Sequence, residues 1–296
     1  MRTSRALAPL ALLLAVALAA GGCAARGLQV GDAAPTERAP YAGPLGIEPT
    51  AEQAALETWT GAAGEVVECS TDARGGARTA SPYTEGAVAS DARKAIDVAV
   101  GEGLFFDLIV DRFDLERTDA DRVLFTTSYA GEAKQAIVVR NGPAGPGAGA
   151  DEDGLGWYVE SWAVCDLADF PADVRHPWGL EVWEDEAGRR VPTTEVSTSA
   201  GPAHCNWQHL TWLNLGGSSL DRDGTTYIGG RSAEYEDWLA GPFDPDAVVP
   251  DDATDTGYRR DGRRIWISAD RDYAYVGPCE HDAEAWPRDV KGLGCA

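Results

Sequence analysis

The chain has 296 residues, with 48 acidic against 25 basic side chains and a formal charge of −23. Its length suits one large or two ordinary domains, and 44% hydrophobic residues with ten tryptophans exclude a disordered chain, because that much apolar surface can build a core. The acidic balance argues against nucleic acid and against adhesion to anionic lipid headgroups, since both polyanions repel it.

Arg2 and Arg5 precede an uncharged Ala/Leu-rich run from Leu7 to Ala20, the plan of an export signal and too short to span a bilayer. The run ends in Ala20-Gly21-Gly22-Cys23. Small residues followed by Cys resemble the lipobox of bacterial lipoproteins, in which the Cys thiol is diacylated and becomes the new N-terminus. The resemblance makes residues 1–22 a signal peptide and Cys23 a lipid anchor, although Ala20 stands where a Leu is usual. The alternative is ordinary cleavage after Ala17-Leu18-Ala19, leaving Cys23 in a secreted chain. Both readings place the protein outside the cytoplasm, where disulfides persist.

Residues 23–49 are rich in Ala, Gly and Pro without apolar period, which predicts a flexible tether with an end-to-end distance of about 30 Å. Thr50-Ala51-Glu52-Gln53 has capping-box form, with Ala54, Ala55, Leu56 and Trp59 following at helical spacing. Glu65 to Cys69 reads as a short strand. After a Gly/Ala/Ser loop a second helix is expected from about Val88 to Leu104, with Val88, Ala92, Ile96 and Val100 on one face. Arg122 to Tyr129 and Ala133 to Arg140 flank an Ala-Gly-Glu turn, and Trp157 to Val164 reads as a third antiparallel strand across a Pro/Gly-rich loop, Asn141 to Gly154. This element order, with its Gly-Trp strand, weakly resembles the α+β modules of NTF2-like or cystatin-like proteins.

Pro171 to Pro177 is the expected boundary between an α+β module, residues 50–170, and a β-rich disulfide-containing domain, residues 176–296. In the second, Leu180 to Glu184, Arg189 to Ser197, Cys205 to Leu215, Arg263 to Ser268 and Tyr273 to Gly277 read as strands of a meander, and Ser232 to Leu239 as a short helix. The fold class is therefore α+β, an N-terminal antiparallel sheet with two helices followed by a mostly β domain.

With Cys23 lipidated, Cys69, Cys165, Cys205, Cys279 and Cys295 remain. Pairing within each domain gives Cys69–Cys165 and Cys205–Cys295 and leaves Cys279 over, though Cys279 could equally pair with Cys295. The combination of Gly-Pro-Ala-His-Cys-Asn-Trp-Gln, Asp-Thr-Gly-Tyr-Arg-Arg-Asp-Gly, Glu-Ala-Trp-Pro-Arg and a terminal Gly-Leu-Gly-Cys-Ala resembles a family of lipoproteins from high-GC Gram-positive bacteria, over most of residues 155–296. In that family the His-Cys-x-Trp and terminal Gly-Cys elements go together, which implies a Cys205–Cys295 bridge. The resemblance brings no activity with it.

The best ligand-binding candidates are Tyr158, Glu160 and Trp162, which strict strand alternation places on one face as a carboxylate between two rings. Rings beside an acidic acceptor suit sugars, and a Glu among aromatics could serve as a general acid. The competing reading is a packed sheet face with Glu160 satisfied by an Arg such as Arg140. His204, Cys205 and His209, with His176 and His281 elsewhere, lack a zinc signature; Asp221 to Gly224 lacks the closing Glu of a calcium loop, and the Asp-rich stretch from Asp244 to Asp255 reads as a solvated loop. No metal or cofactor is expected. No Gly-x-Ser-x-Gly, Ser-x-x-Lys or His-Glu-x-x-His motif is present. The function expected is a non-enzymatic binding or scaffold module, lipid-anchored at the outer face of the cell membrane and engaging cell-wall glycan or another envelope protein. The alternative is a carboxylate-dependent glycan hydrolase using Glu160.

Overall fold

A computed structural model of the protein describes residues 39–54, 59–77, 88–101, 112–143, 151–216, 224–231 and 236–292. The export signal, Cys23, Cys295, and parts of the first helix, the 141–154 loop and the 232–239 segment lie outside them. The architecture is α+β, with short helices and three antiparallel sheets among the described residues.

The N-terminal part begins earlier than a tether over residues 23–49 allows. Leu45 is buried in the core with Tyr41 and Ile47 against it, and Arg117 donates to the carbonyls of Tyr41 and Gly43. Helix α1 (Ala51–Ala54) starts with the expected capping box: the Thr50 amide donates to Gln53 Oε1 at 2.9 Å and the Gln53 amide to Thr50 Oγ1 at 3.2 Å. Helix α2 (Gly61–Val66) takes up part of the segment read as a strand from Glu65 to Cys69, because Ala62, Ala63 and Val66 bury one helical face against the sheet. Strand β1 (Ala73–Ala77) was hidden in the Gly/Ala/Ser loop. Helix α3 (Ala92–Gly101) begins later than Val88, since Ala89 is held in a backbone bridge to Trp157 and Asp91 caps the Lys94 amide at 3.0 Å. Its buried face is Ala95, Ile96 and Ala99, while Val100 is exposed, so the face is offset from the one the four-residue spacing marked.

Strands β2 (Asp114–Thr118), β3 (Arg122–Tyr129), β4 (Glu132–Pro143) and β5 (Leu155–Cys165) complete a sheet of order β1-β5-β4-β3-β2. Helix α3 covers one face, and α2 with Leu45 covers the other. The central strand β4 is therefore buried from Ala133 to Val139, a near-continuous run rather than an alternating one. Even Lys134 is buried within it: its ammonium donates to the Glu68 carbonyl at 2.6 Å and pairs with Glu132 at 2.7 Å and Asp169 at 3.6 Å. The expected Cys69–Cys165 disulfide is present and ties the segment before β1 to the end of β5.

Beyond a 3-10 turn at Leu167–Asp169, helix α4 (Ala172–Arg175) and a second 3-10 turn at His176–Trp178 occupy the segment read as an aperiodic boundary. Strands β6 (Leu180–Val182), β7 (Val196–Ala200), β8 (Thr211–Leu215) and β9 (Thr225–Gly229) form a four-stranded meander. Strands β10 (Asp244–Ala247), β11 (Thr254–Arg260), β12 (Arg263–Ile267), β13 (Tyr273–Cys279) and β14 (Asp282–Pro287) form a second sheet of order β10-β14-β13-β12-β11. Bridges Glu184↔Arg259 and Tyr227↔Arg288 join the two sheets at either side. The ring so closed surrounds one core of Trp183, Val196, Leu213, Tyr227, Ile265, Val276 and Trp286. Cys205, in a 3-10 turn rather than a strand, is disulfide-bonded, and Cys279 is a free cysteine.

The β3–β4 hairpin turns through Ala130 and Gly131, with φ of 53° and 83°. Positive φ at both central positions of a two-residue turn suits Asn-Gly, and Ala pays a steric cost in the first position. Ala130→Asn is predicted to raise stability by about 0.5–1 kcal/mol, read as a higher urea midpoint at unchanged slope.

Candidate functional site

Strand β5 does not alternate strictly. It pairs Val138 with Ser161 and Val139 with Val159, so Glu160 is one residue more than β4 can match and forms a β-bulge. The bulge shifts the side-chain phase. Tyr158 and Glu160 line a cleft on the α2 side of the sheet, whereas Trp162 joins Trp157 and Val159 in the core beneath α3. The expected trio therefore divides two to one, and the aromatic partner of Glu160 at the cleft is Trp59. Trp162 also explains Gly76 on the neighbouring strand: a Cβ there would meet the indole at 2.5 Å.

The cleft has a volume of about 240 Å³ and is lined by Leu45, Ile47, Trp59, Arg140, Tyr158 and Glu160, with Glu48 at its rim. Its floor is ionic. Strand register sets Arg122 directly opposite Arg140, a pairing of like charges that destabilises a sheet unless an anion intervenes. Glu160 intervenes: Arg122 donates to it through Nε at 2.7 Å and Nη2 at 2.9 Å, and Arg140 through Nη1 at 3.3 Å. Asp121 pairs with Arg122 at 2.9 Å and Arg140 at 3.6 Å, so two guanidiniums and two carboxylates balance. Hydrogen bonding to Glu160 is the main cause that raises the Arg122 pKa, and burial raises that of the Tyr158 phenol. Glu160 is thus held as an acceptor by two guanidiniums, the arrangement in which Arg140 satisfies it. No proton is placed for delivery to a leaving group.

The other sequence candidates do not gather into a site. Both sulfurs of Cys69 and Cys165 lie near an Asp169 oxygen, within 4.8 Å of one another, but they are bonded to each other and are not thiolates. Asp169 is committed elsewhere: it accepts from the Ser70 and Thr71 amides at 3.0 and 3.1 Å and from both their hydroxyls. Cys205 is in a disulfide, and His209 Nδ1 lies 3.1 Å from the Asn206 carbonyl. The Asp-rich stretch is not a free loop, since Asp244 to Ala247 is strand β10 and Asp255 pairs with Arg259 and Arg264 at 3.0 and 2.7 Å. Asp221 to Asp223 lie outside the described residues.

Trp59 and Arg122 were missed as site residues. The β3–β4 hairpin pairing was legible from the turn, and with the bulge between Thr127 and Ser128 it brings Arg122 opposite Arg140. The approach of Trp59 to β5 left no periodic trace. No family model, curated protein or solved structure matches this chain.

Removing the Glu160 charge leaves Arg122 facing Arg140 with Asp121 alone. Glu160→Gln is predicted to cost roughly 2–3 kcal/mol in urea unfolding, and a double-mutant cycle with Arg122→Met to show coupling of at least about 1 kcal/mol. For Asp169, burial pushes the carboxyl up, but the Ser70 and Thr71 donors outweigh it and hold it below the ordinary value. Such a depressed carboxylate stabilises the fold fully above its unfolded pKa near 3.9, and the contribution is lost as pH falls through the folded value. Asp169→Asn is therefore predicted to weaken the fold at neutral pH and to flatten the decline of stability below about pH 4, measured by urea titrations across pH.

Proposed function

We propose that the protein is an exported, lipid-anchored binding module of the cell envelope, and that the cleft beside β5 receives a sugar segment of a wall glycan. The observation that carries the binding reading is the cleft itself: a partly exposed Trp59, the Tyr158 phenol and a fixed Arg140–Glu160 pair in one concavity. Apolar sugar faces stack on an indole, while hydroxyls donate to carboxylates and accept from a guanidinium held in place. A rigid ionic floor favours orientation over proton transfer, because both Glu160 oxygens already accept from arginine. This supports binding without catalysis and gives the glycan-hydrolase alternative no proton donor at this position.

Export is supported by the N-terminal signal plan and by the Cys69–Cys165 disulfide, a bond characteristic of oxidising compartments. No helix among the described residues is long and apolar enough to cross a membrane. Attachment then falls to Cys23, whose acyl chains would hold the protein at the extracytoplasmic face.

Cys23→Ser is predicted to move the protein from the membrane fraction to the medium, as followed by fractionation; retention at the membrane would overturn the anchor. The full chain in nonionic detergent, melted with solubilised wall glycan fragments at a hundredfold excess over the dissociation constant, should gain about 2.7 kcal/mol. That gain should vanish in Trp59→Ala and persist in variants of exposed residues far from the cleft. A melt unmoved by glycan would refute the sugar reading.

A further inference from the structure

A second charged feature lies where the N-terminal sheet meets the C-terminal strands. Arg175 ends α4, and Arg190 Nη1 donates at 3.0 Å to the carbonyl of Ala168 in the 3-10 turn that precedes α4. Glu184 bridges to Arg190 on one side and to Arg259 on the other, which sets Arg190 and Arg260 on neighbouring extended segments. Arginine side chains from three separate elements therefore converge in a protein of formal charge −23. Their charges are unevenly met. Arg260 pairs with Glu181 and, at 3.3 Å, with Asp261. Arg175 and Arg190 have no ion-pair partner among the described residues, and Arg175 Nε is sealed from solvent without a hydrogen-bond acceptor. Burial, followed by repulsion from Arg190 and Arg260, lowers the Arg175 pKa, as expected for a cation among cations.

Folded proteins rarely leave a half-buried guanidinium uncompensated, because its desolvation is not recovered. Two unpaired guanidiniums beside a third offer parallel N–H donors with a net charge near +2. A single carboxylate would leave part of that charge unmet, whereas a phosphate, with several acceptor oxygens and up to two charges, matches it. We propose that Arg175, Arg190 and Arg260 form a binding site for a phosphate group, carried either by free phosphate or by a phosphodiester polymer. The site is separate from the cleft at Glu160, and none of its three arginines lines that cleft. The acidic remainder of the surface repels a polyanion at long range, so binding depends on these direct contacts.

Isothermal titration of the full chain in nonionic detergent at low ionic strength tests this, with inorganic phosphate as one probe and poly(glycerol phosphate) as the other. Saturable binding of either is expected, weakened about tenfold or more by Arg175→Gln and by Arg190→Gln. Binding of inorganic phosphate alone assigns the site to the free ion; binding of the polymer alone assigns it to a phosphodiester. Saturation by neither probe, or binding unchanged in both variants, would overturn the proposal. A melting experiment separates ligation from a structural role. Without phosphate, Arg175→Gln should match or exceed the parent melting temperature, because it relieves repulsion, and only the parent should rise when phosphate is added. A clear fall in the unliganded variant would make Arg175 a structural residue and refute the site. Since neither probe is a glycan, failure here leaves the cleft reading standing.

Discussion

Residues Cys165 to Phe170 are all buried, and the two halves of the chain are tied through them. Cys165 closes the disulfide to Cys69, and the Asp166 amide donates to the Asp72 carbonyl at 2.8 Å. The Asp166 carboxylate then accepts from Ala168 of its own turn and from both the amide and the hydroxyl of Thr193, each at 2.8 Å. Three residues later Asp169 collects the Ser70 and Thr71 donors and faces Lys134. A buried carboxylate is costly to desolvate, and it persists here because every oxygen has donors fixed by backbone. The same donors hold the first sheet against the loop leading to β7. Misplacing either aspartate would leave several buried N–H and O–H groups unpaired at once.

The second organising constraint is the mismatch between β4 and β5. Inserting Glu160 as a bulge gives up one rung of pairing and gains a carboxylate placed between two arginines that the register forces to face each other. It also sends Tyr158 and Trp162 to opposite faces, so one strand serves both the cleft and the α3 core. The cleft is consequently a by-product of sheet geometry made rigid by charge. Binding without chemistry is what such rigidity supports best, because a floor whose donors and acceptors are already committed can orient a ligand while holding no proton in reserve.

In the C-terminal half the two meanders close around indole and phenol rings, with Trp183 donating to Thr198 at 3.2 Å and the Tyr227 hydroxyl to the Arg271 carbonyl. Most of the tryptophans that a glycan reading might have claimed are spent there and in the clusters outside each sheet. The uncompensated arginines sit instead where this half meets the first, a place that charge counting along the chain does not reveal.

Local physics made much of the fold legible in the sequence. The Thr50–Gln53 capping box, the Ala130-Gly131 turn, β3 in full, most of β4 and β5 and the Cys69–Cys165 pairing all follow from propensity, turn chemistry and separation. What escaped has a common cause. Strand β1, with two adjacent glycines, has no period because it makes room for the Trp162 ring; α2 was read partly as strand because its apolar face is four small residues. The Asp-rich β10 is a strand only because β14 supplies its partner. For the site, sequence alone determined that Tyr158 and Glu160 share a face and that an arginine stood ready to neutralise the carboxylate. Only the tertiary structure decided that Trp59, not Trp162, stands beside them, because a bulge changes the phase of a strand by one residue and a two-residue alternation cannot register where that extra residue falls.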